Sequence, residues 1–600
     1  MSFMFHPYPY NDPDAINHVA GTEEIRSKMV SGLIAVAKTL VSHIKNGQCR
    51  IGIDGYPGAQ FDALINVINQ QLGDMQVRKI SAHSLLKDKK LINAMLKAYL
   101  PKDYDIDPVL LYGVRYEGGY EGFQDSAKVS ALKHALMDNH TAIIVYGRGA
   151  LCSALRDTYD LRIWFDITPK QAVLNTKYGK VCNLGTDEPL PYAAMMRRNY
   201  YCDFEMAMGL RWELIRSRKI DFYISGDDPE KMNMLPYLAL KALFDKLLMR
   251  PLRCRPVYLE GVWGGFYFKR LRHLPEGMRN CAWVFDLIPL EVSLAVDMSG
   301  KQLEVPFFTF VQVEGEKLLG EKAYEQFGGY FPVRFNYDDT YHSNGNMSIQ
   351  CHPDADYAMK NYKELGGQDE SYYVCIAGQE ACTYLGFREK GDCEKFLTIA
   401  NKVAKSGELM DYQQYLNAIP SKPGMQLMIP AGTIHASGRN QVVLEIGSLT
   451  VGSYTYKLYD YQRIDPQTGL PRPLHLKMGE KVLHSERTAE WINENLVNHG
   501  RVVREGKGYQ ETIVGEHELL YFSLRNLTFE KEIFDDTNGT FHVLALVDGE
   551  RVRVESIQDT SLFYVANSMD ILIVPAYFGR YRIINEGVGK VVVHKTCLKG

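Results

Sequence analysis

Four short apolar runs, CRIGIDG (49–55), TAIIVYG (141–147), LRIWFDI (161–167) and KIDFYIS (219–225), recur through the first part of the chain with helical stretches between them. Runs this short, apolar on both faces and rich in Ile, Val and aromatic residues, read as strands buried on both sides. Strands that alternate with helices imply a parallel sheet covered by helices, so residues 1–250 are expected to form an α/β domain. Its first helix is expected over 22–46, where Ile25, Met29, Leu33, Ala37, Leu40 and Ile44 keep helical spacing after Thr22 and an acidic first turn.

Beyond the stretch MRPLRCRPVYLEGVWGG the texture changes. Short β-rich segments punctuated by Gly, Pro and Asn take over, as in MQLMIPAGTIHASGRNQVVLEIGS and FHVLALVDGERVRVESIQDTSLFYV. This is the pattern of antiparallel barrels. The 350 residues that remain of the 600 are too many for one barrel, so two are expected, over 251–485 and 486–600. A helical insertion is expected at 392–418, on the spacing of Phe396, Ile399, Val403 and Leu409.

Composition narrows the function classes. The hydrophobic fraction of 46% and charged fraction of 23% are those of a globular protein. A net charge of −4, with no long run of Lys and Arg, argues against nucleic acid as a partner. The start, MSFMFHPYPYNDPDAINH, lacks the basic residues and apolar core of a secretory leader, and no apolar stretch reaches the length of a membrane span. Eleven Cys without a C-x-x-C pair point to reduced thiols and a cytoplasmic protein.

The chemistry-bearing residues lie in the β-rich part. In NMSIQCHPDA, Gln350 and His352 stand two apart, so strand alternation turns both to one face. Glu370 opens the strand-like run ESYYVCIAG, and His435 follows a Pro-Ala-Gly turn in GMQLMIPAGTIHASG. Imidazole nitrogens, one carboxylate and one amide oxygen on rigid strands are a suitable donor set for a borderline-soft divalent ion. A buried structural histidine is the alternative for either His taken alone.

The spacing from Gly424 through Pro430, Ala431 and Gly432 to His435 resembles the second signature motif of the cupin superfamily. The order Q-x-H-P, a Glu opening a Y-Y-V strand, IPAGTIHA, VVLEIGSLTVGSYTYKLYDY and PRPLH is similar to the class I mannose-6-phosphate isomerases, with VWGGF and FPVRFNY also in place. The resemblance covers about 255–600. It implies that Gln350, His352, Glu370 and His435 bind Zn²⁺ or another divalent ion. It further implies that Ser348 contacts the phosphate of a sugar phosphate and that Lys457 and Glu445 are the candidates for charge stabilisation and proton transfer. His475 in PRPLH is expected to be structural. Two positions depart from the family pattern: Gln368 stands where many members carry Lys, and Lys457 where many carry Arg. The rival readings are a non-catalytic sugar-phosphate sensor and a two-His, one-carboxylate iron oxygenase. A homo-oligomer is left open.

In the α/β part, IGIDGYPGAQFD sits between a strand and a helix and resembles the phosphate loop of uridine-kinase-like P-loop proteins, as do LRIWFDITP and IDFYISGDDP. Where that loop needs Gly-Lys-Ser/Thr this chain has Gln60-Phe61-Asp62, which lacks the phosphate-binding cation and the Mg²⁺-binding hydroxyl. A degenerate, non-catalytic P-loop-like domain is therefore expected. Arg197 and Arg198 in MMRRNYY are expected to be solvated or ion-paired.

Overall fold

The structure, a computed structural model, describes residues 4–100, 113–138, 141–343, 345–464, 469–497 and 500–599. The chain forms a multidomain assembly of one mixed α/β sheet followed by paired β-sheets. Each expected strand of the first part is present: Arg50–Gly55, Ala142–Tyr146, Leu161–Asp166 and Phe222–Ser225, joined by Val77–Ser81. These five run parallel. Asn233–Pro236 and Val30–Ser31 extend one edge in antiparallel sense, which makes the sheet mixed.

That edge corrects the expected helix over 22–46. The helix is broken into Glu23–Ser27 and Leu33–Lys45, because Val30 and Ser31 leave helical geometry to pair with Met234 and Asn233. Gly32, at a φ of 92°, turns the chain back into helix. Helix Leu33–Lys45 then buries Ala37, Leu40 and Ile44 of the expected spacing, together with Val36 and Val41. The insertion is likewise shorter than expected: helix Asp392–Ser406 ends at Gly407 in left-handed conformation, and strand Leu416–Pro420 has begun within the expected span.

Two pairs of sheets follow. The first pair has six and five strands, the second six and four. In the second pair Leu527, Phe529, Leu544 and Val593 from one sheet meet Ile533, Val554 and Ile583 from the other in a core of their own. A single larger core runs through the α/β domain, the first β pair and one face of the second.

Buried polar links cross between these units. Asp166, at the end of its strand, accepts hydrogen bonds from Arg211, from the Tyr223 hydroxyl at 2.9 Å and from Thr309 at 2.7 Å on helix Phe307–Leu319. The N-terminal segment also reaches the β part: Asn17 and His18 pair in parallel with Val296 and Asp297, and the Asn17 amide donates to the Arg253 and Ala295 carbonyls. All eleven cysteines are free thiols. No helix among the described residues is long and apolar enough to cross a membrane.

Candidate metal centre

The site forms between the two sheets of the first β pair. In one sheet, strand Ile349–Cys351 lies between His435–Ser437 and Tyr456–Tyr459. Gln350 is directly opposite His435 on one side and Lys457 on the other, so the three side chains form a row on one face. In the facing sheet Glu370 begins strand Glu370–Ala377. The turn that delivers His435 depends on Gly432, whose φ is 84°. A Cβ there would lie 2.6 Å from the Val482 carbonyl, and the Gly432 amide donates to the His352 carbonyl at 2.8 Å. The two sequence motifs are thus tied together at the backbone.

His352, Glu370 and His435 each offer a ligand atom within 4.8 Å of the others. His352 Nε2 is 3.1 Å from Glu370 Oε1, and His435 Nε2 is 3.3 Å from Glu370 Oε2. The Gln350 amide lies 3.4 Å from His435 Nε2. The opposite edge of each ring faces a carbonyl oxygen: His435 Nδ1 is 2.9 Å from that of Thr433, and His352 Nδ1 is 3.3 Å from that of Tyr454. For His435 that contact favours the tautomer with the Nε2 lone pair aimed at the shared centre, whereas His352 Nδ1 is shared between the Tyr454 carbonyl and the Gln368 amide nitrogen at 3.1 Å. His352 Nε2 and Glu370 Oε2 are buried and make no hydrogen bond of good geometry. Two buried polar atoms left in this way, with two imidazoles, one carboxylate and an amide around them, fit a divalent ion.

The electrostatics agree with that donor set. Burial pushes His352 down to about 4, so the ring is neutral near pH 7. Burial works against ionisation of Glu370, but His352, His435 and Arg334 outweigh it and hold the carboxyl well below the ordinary range.

Lys457 is 2% exposed and its strand is pinned by His475, whose Nδ1 accepts from the Lys457 amide at 3.1 Å and whose own amide donates to the Lys457 carbonyl at 2.7 Å. His475 thus holds the backbone of the Lys457 strand and also lines a neighbouring cavity. Ser348 donates to Asp460 at 3.1 Å, and Asp460 is also held by Arg463 at 3.1 Å and Arg472 at 2.9 Å. That cavity, of about 540 Å³, is lined by Asp460, Arg463, Arg472, His475 and Lys477, of which Asp460 bonds the Ser348 hydroxyl and His475 the Lys457 backbone. Glu445 is buried and ion-paired with Arg334 at 2.7 Å.

Gln368 lies between the two motifs, its amide nitrogen 3.1 Å from His352 Nδ1 and 3.3 Å from Glu370 Oε1, and its oxygen accepts from the Tyr454 amide. Sequence reasoning missed Arg334 altogether. The signal was present in VRFNYDD, where every second residue of an otherwise apolar strand is polar: Arg334, Asn336 and Asp338. Arg197 and Arg198 are buried rather than solvated, with Arg198 3.8 Å from Asp203.

A mannose-6-phosphate isomerase from Streptococcus mutans is 30% identical over 252 residues, which cover 40% of this chain and 72% of the relative. The chain belongs to the mannose-6-phosphate isomerase family. Mannose-6-phosphate isomerase ManA of Bacillus subtilis is 23% identical over 352 residues, 57% of this chain and 98% of that protein. Among solved structures, the mannose 6-phosphate isomerase from Bacillus subtilis covers 58% of this chain and 100% of its own, at 22% identity and a TM-score of 0.46. Outside the isomerase-like part, residues 32–249 match a family described as a domain of unknown function, DUF8485. That match lends no support to the P-loop kinase relationship expected from IGIDGYPGAQFD.

Proposed function

We propose that this chain is a metal-dependent aldose-ketose isomerase that interconverts mannose 6-phosphate and fructose 6-phosphate. The observation that carries the reading is the convergence of His352, Glu370 and His435, with Gln350 beside them, in a member of this isomerase family. Those four side chains would hold a divalent ion such as zinc, which when bound supplies positive charge that polarises the sugar oxygens during proton transfer. Ser348, flanked by Arg463 and Arg472 around Asp460, would receive the phosphate, since two guanidinium groups suit its oxygens. Lys457, in the row with Gln350 and His435, would carry the proton between C1 and C2 through an enediolate. Glu445 is the second candidate for that role, because Arg334 already engages its carboxylate. The ligand is a sugar phosphate, and neither nucleic acid nor membrane is expected as a partner.

The test is a coupled assay for fructose 6-phosphate with metal analysis of the same sample. The wild type should turn over substrate with about one ion per chain, and His435→Ala should lose ion and turnover together. Isomerisation undiminished by removal of all divalent metal would overturn the reading. One observation favours a non-catalytic sensor as the second reading: Gln368 and Lys457 both depart from the family pattern at the site. Bound metal and sugar phosphate without turnover would select it.

For the α/β domain we propose a degenerate phosphate loop without phosphoryl transfer. The loop after strand Arg50–Gly55 does lead into helix Phe61–Leu72, but Phe61 and Asp62 supply neither cation nor hydroxyl. Mg²⁺-dependent ATP turnover by the full chain should be absent.

A further inference from the structure

We propose that Arg334 is a positioning residue of the metal centre, which fixes the Glu370 carboxylate in its ligating orientation and joins it to Glu445. This rests on the metal-dependent reading above. Arg334 lies on strand Val333–Asp339 and is 2% exposed. Its guanidinium donates from Nη2 to Glu370 Oε1 at 2.7 Å, from Nη1 to Glu445 Oε1 at 2.7 Å and Asn336 Oδ1 at 3.4 Å, and from Nε to the Ser448 carbonyl at 3.0 Å.

The path of that side chain is made by a glycine. Arg334 is opposite Gly447 on the neighbouring strand, and Gly447 is opposite Glu370 on the strand beyond, so the three stand in one row. A Cβ at Gly447 would lie 3.0 Å from both Cζ and Nη2 of Arg334. Without it, the guanidinium passes over the middle strand and reaches the ligand carboxylate two strands away.

The consequence is an asymmetric carboxylate. Oε1 of Glu370 accepts from Arg334 at 2.7 Å and Gln368 at 3.3 Å and lies 3.1 Å from His352 Nε2, while Oε2 makes no hydrogen bond and faces His435 Nε2 at 3.3 Å. The side chain is thereby held against rotation with Oε2 left for the centre. One cation also serves two buried carboxylates on adjacent strands, which would otherwise repel each other. A lysine offers a compact charge and cannot span both with a planar fork. Partners that orient a metal ligand in this way are worth about 10- to 100-fold in metal affinity.

The test is zinc affinity, measured by competition with a chromophoric chelator on full-length protein whose folding is checked by circular dichroism. Arg334→Lys should bind zinc about 10- to 100-fold more weakly than wild type while keeping a folded spectrum, and should lower kcat more than it raises KM. A purely structural arginine would lower the melting temperature and leave zinc affinity per folded molecule unchanged. Folded Arg334→Lys that binds zinc within twofold of wild type would therefore overturn the proposal. Should that variant not fold, Arg334→Met combined with Glu445→Leu removes cation and carboxylate together and leaves no orphaned charge between them. The double variant should show the same weakening, and wild-type affinity in it would overturn the proposal. Wild-type protein that binds no divalent ion is a different failure, since it overturns the isomerase reading on which this inference rests.

Discussion

At the scale of single residues, the separation of ligand from cation gives a sharp expectation for Lys457. It shares a face with Gln350 and His435 but is not one of the four proposed ligands, so Lys457→Ala should lower kcat by about 10²- to 10⁴-fold with zinc content unchanged. Steady-state kinetics beside metal analysis checks this, and full activity would move proton transfer to Glu445. Glu511, in the second β pair, offers a pH test. Burial opposes its ionisation, but Lys595 at 2.8 Å, then Arg504 and Arg525, hold its carboxyl down at about 2, from an ordinary value of 4.5. A depressed carboxyl contributes stability above its unfolded value and loses it as pH falls through the folded one. Glu511→Gln should thus melt lower than wild type at pH 7, by the equivalent of about 1–2 kcal/mol after solvent screening around the arginines. The gap should close as pH is lowered from about 4.5 toward 2. Thermal denaturation of both proteins across that range measures it.

At the scale of elements, the site depends on turns and registers more than on the ligands' own preferences. The His435 turn is set by Gly432, which combines a φ of 84° with a close approach to the Val482 carbonyl. Gly432→Ala should cost at least about 1–3 kcal/mol in backbone strain and, by displacing His435, reduce zinc binding. Chemical denaturation and the chelator competition read the two effects separately. Sequence alternation was sufficient to place Gln350 and His352 on one face, since both lie within one short segment and the period of two is a local property. The same alternation groups Arg334, Asn336 and Asp338 on one face but does not say that this polar face turns inward. It could not supply Arg334's partners, which are 36 and 111 residues away along the chain. The same limit explains the broken helix: the apolar spacing of 22–46 is helical throughout, and only the edge of a sheet finished some 200 residues later draws Val30 and Ser31 out of it.

At the scale of the whole molecule, the α/β domain and the β part are joined by buried polar contacts as well as by a shared apolar core. Asp166 is fully buried and Arg211 is its ion-pair partner at 3.0 Å. Arg211→Met leaves that carboxylate without its cation, so it should destabilise the chain by about 3–5 kcal/mol. Urea denaturation followed by fluorescence and by circular dichroism reads the loss. Because Thr309 and Gln312 of helix Phe307–Leu319 bind the same pair, the loss should fall on the contact between that helix and the α/β domain.

Local pattern in the sequence determined the change from α/β to β architecture, the parallel strands, the inward-facing ligand candidates and the loss of the lysine and hydroxyl from the loop at Gln60-Phe61-Asp62. These follow from hydrophobic period and residue chemistry, which each segment carries in itself. Tertiary structure alone decided that Glu445 is held by Arg334, that Gly447 opens the way to Glu370, that Arg197 and Arg198 are buried and that Asn17 and His18 pair with a strand of the β part. The reason is that strand order and register bring together residues far apart in the chain, and no local period encodes which strand becomes the neighbour.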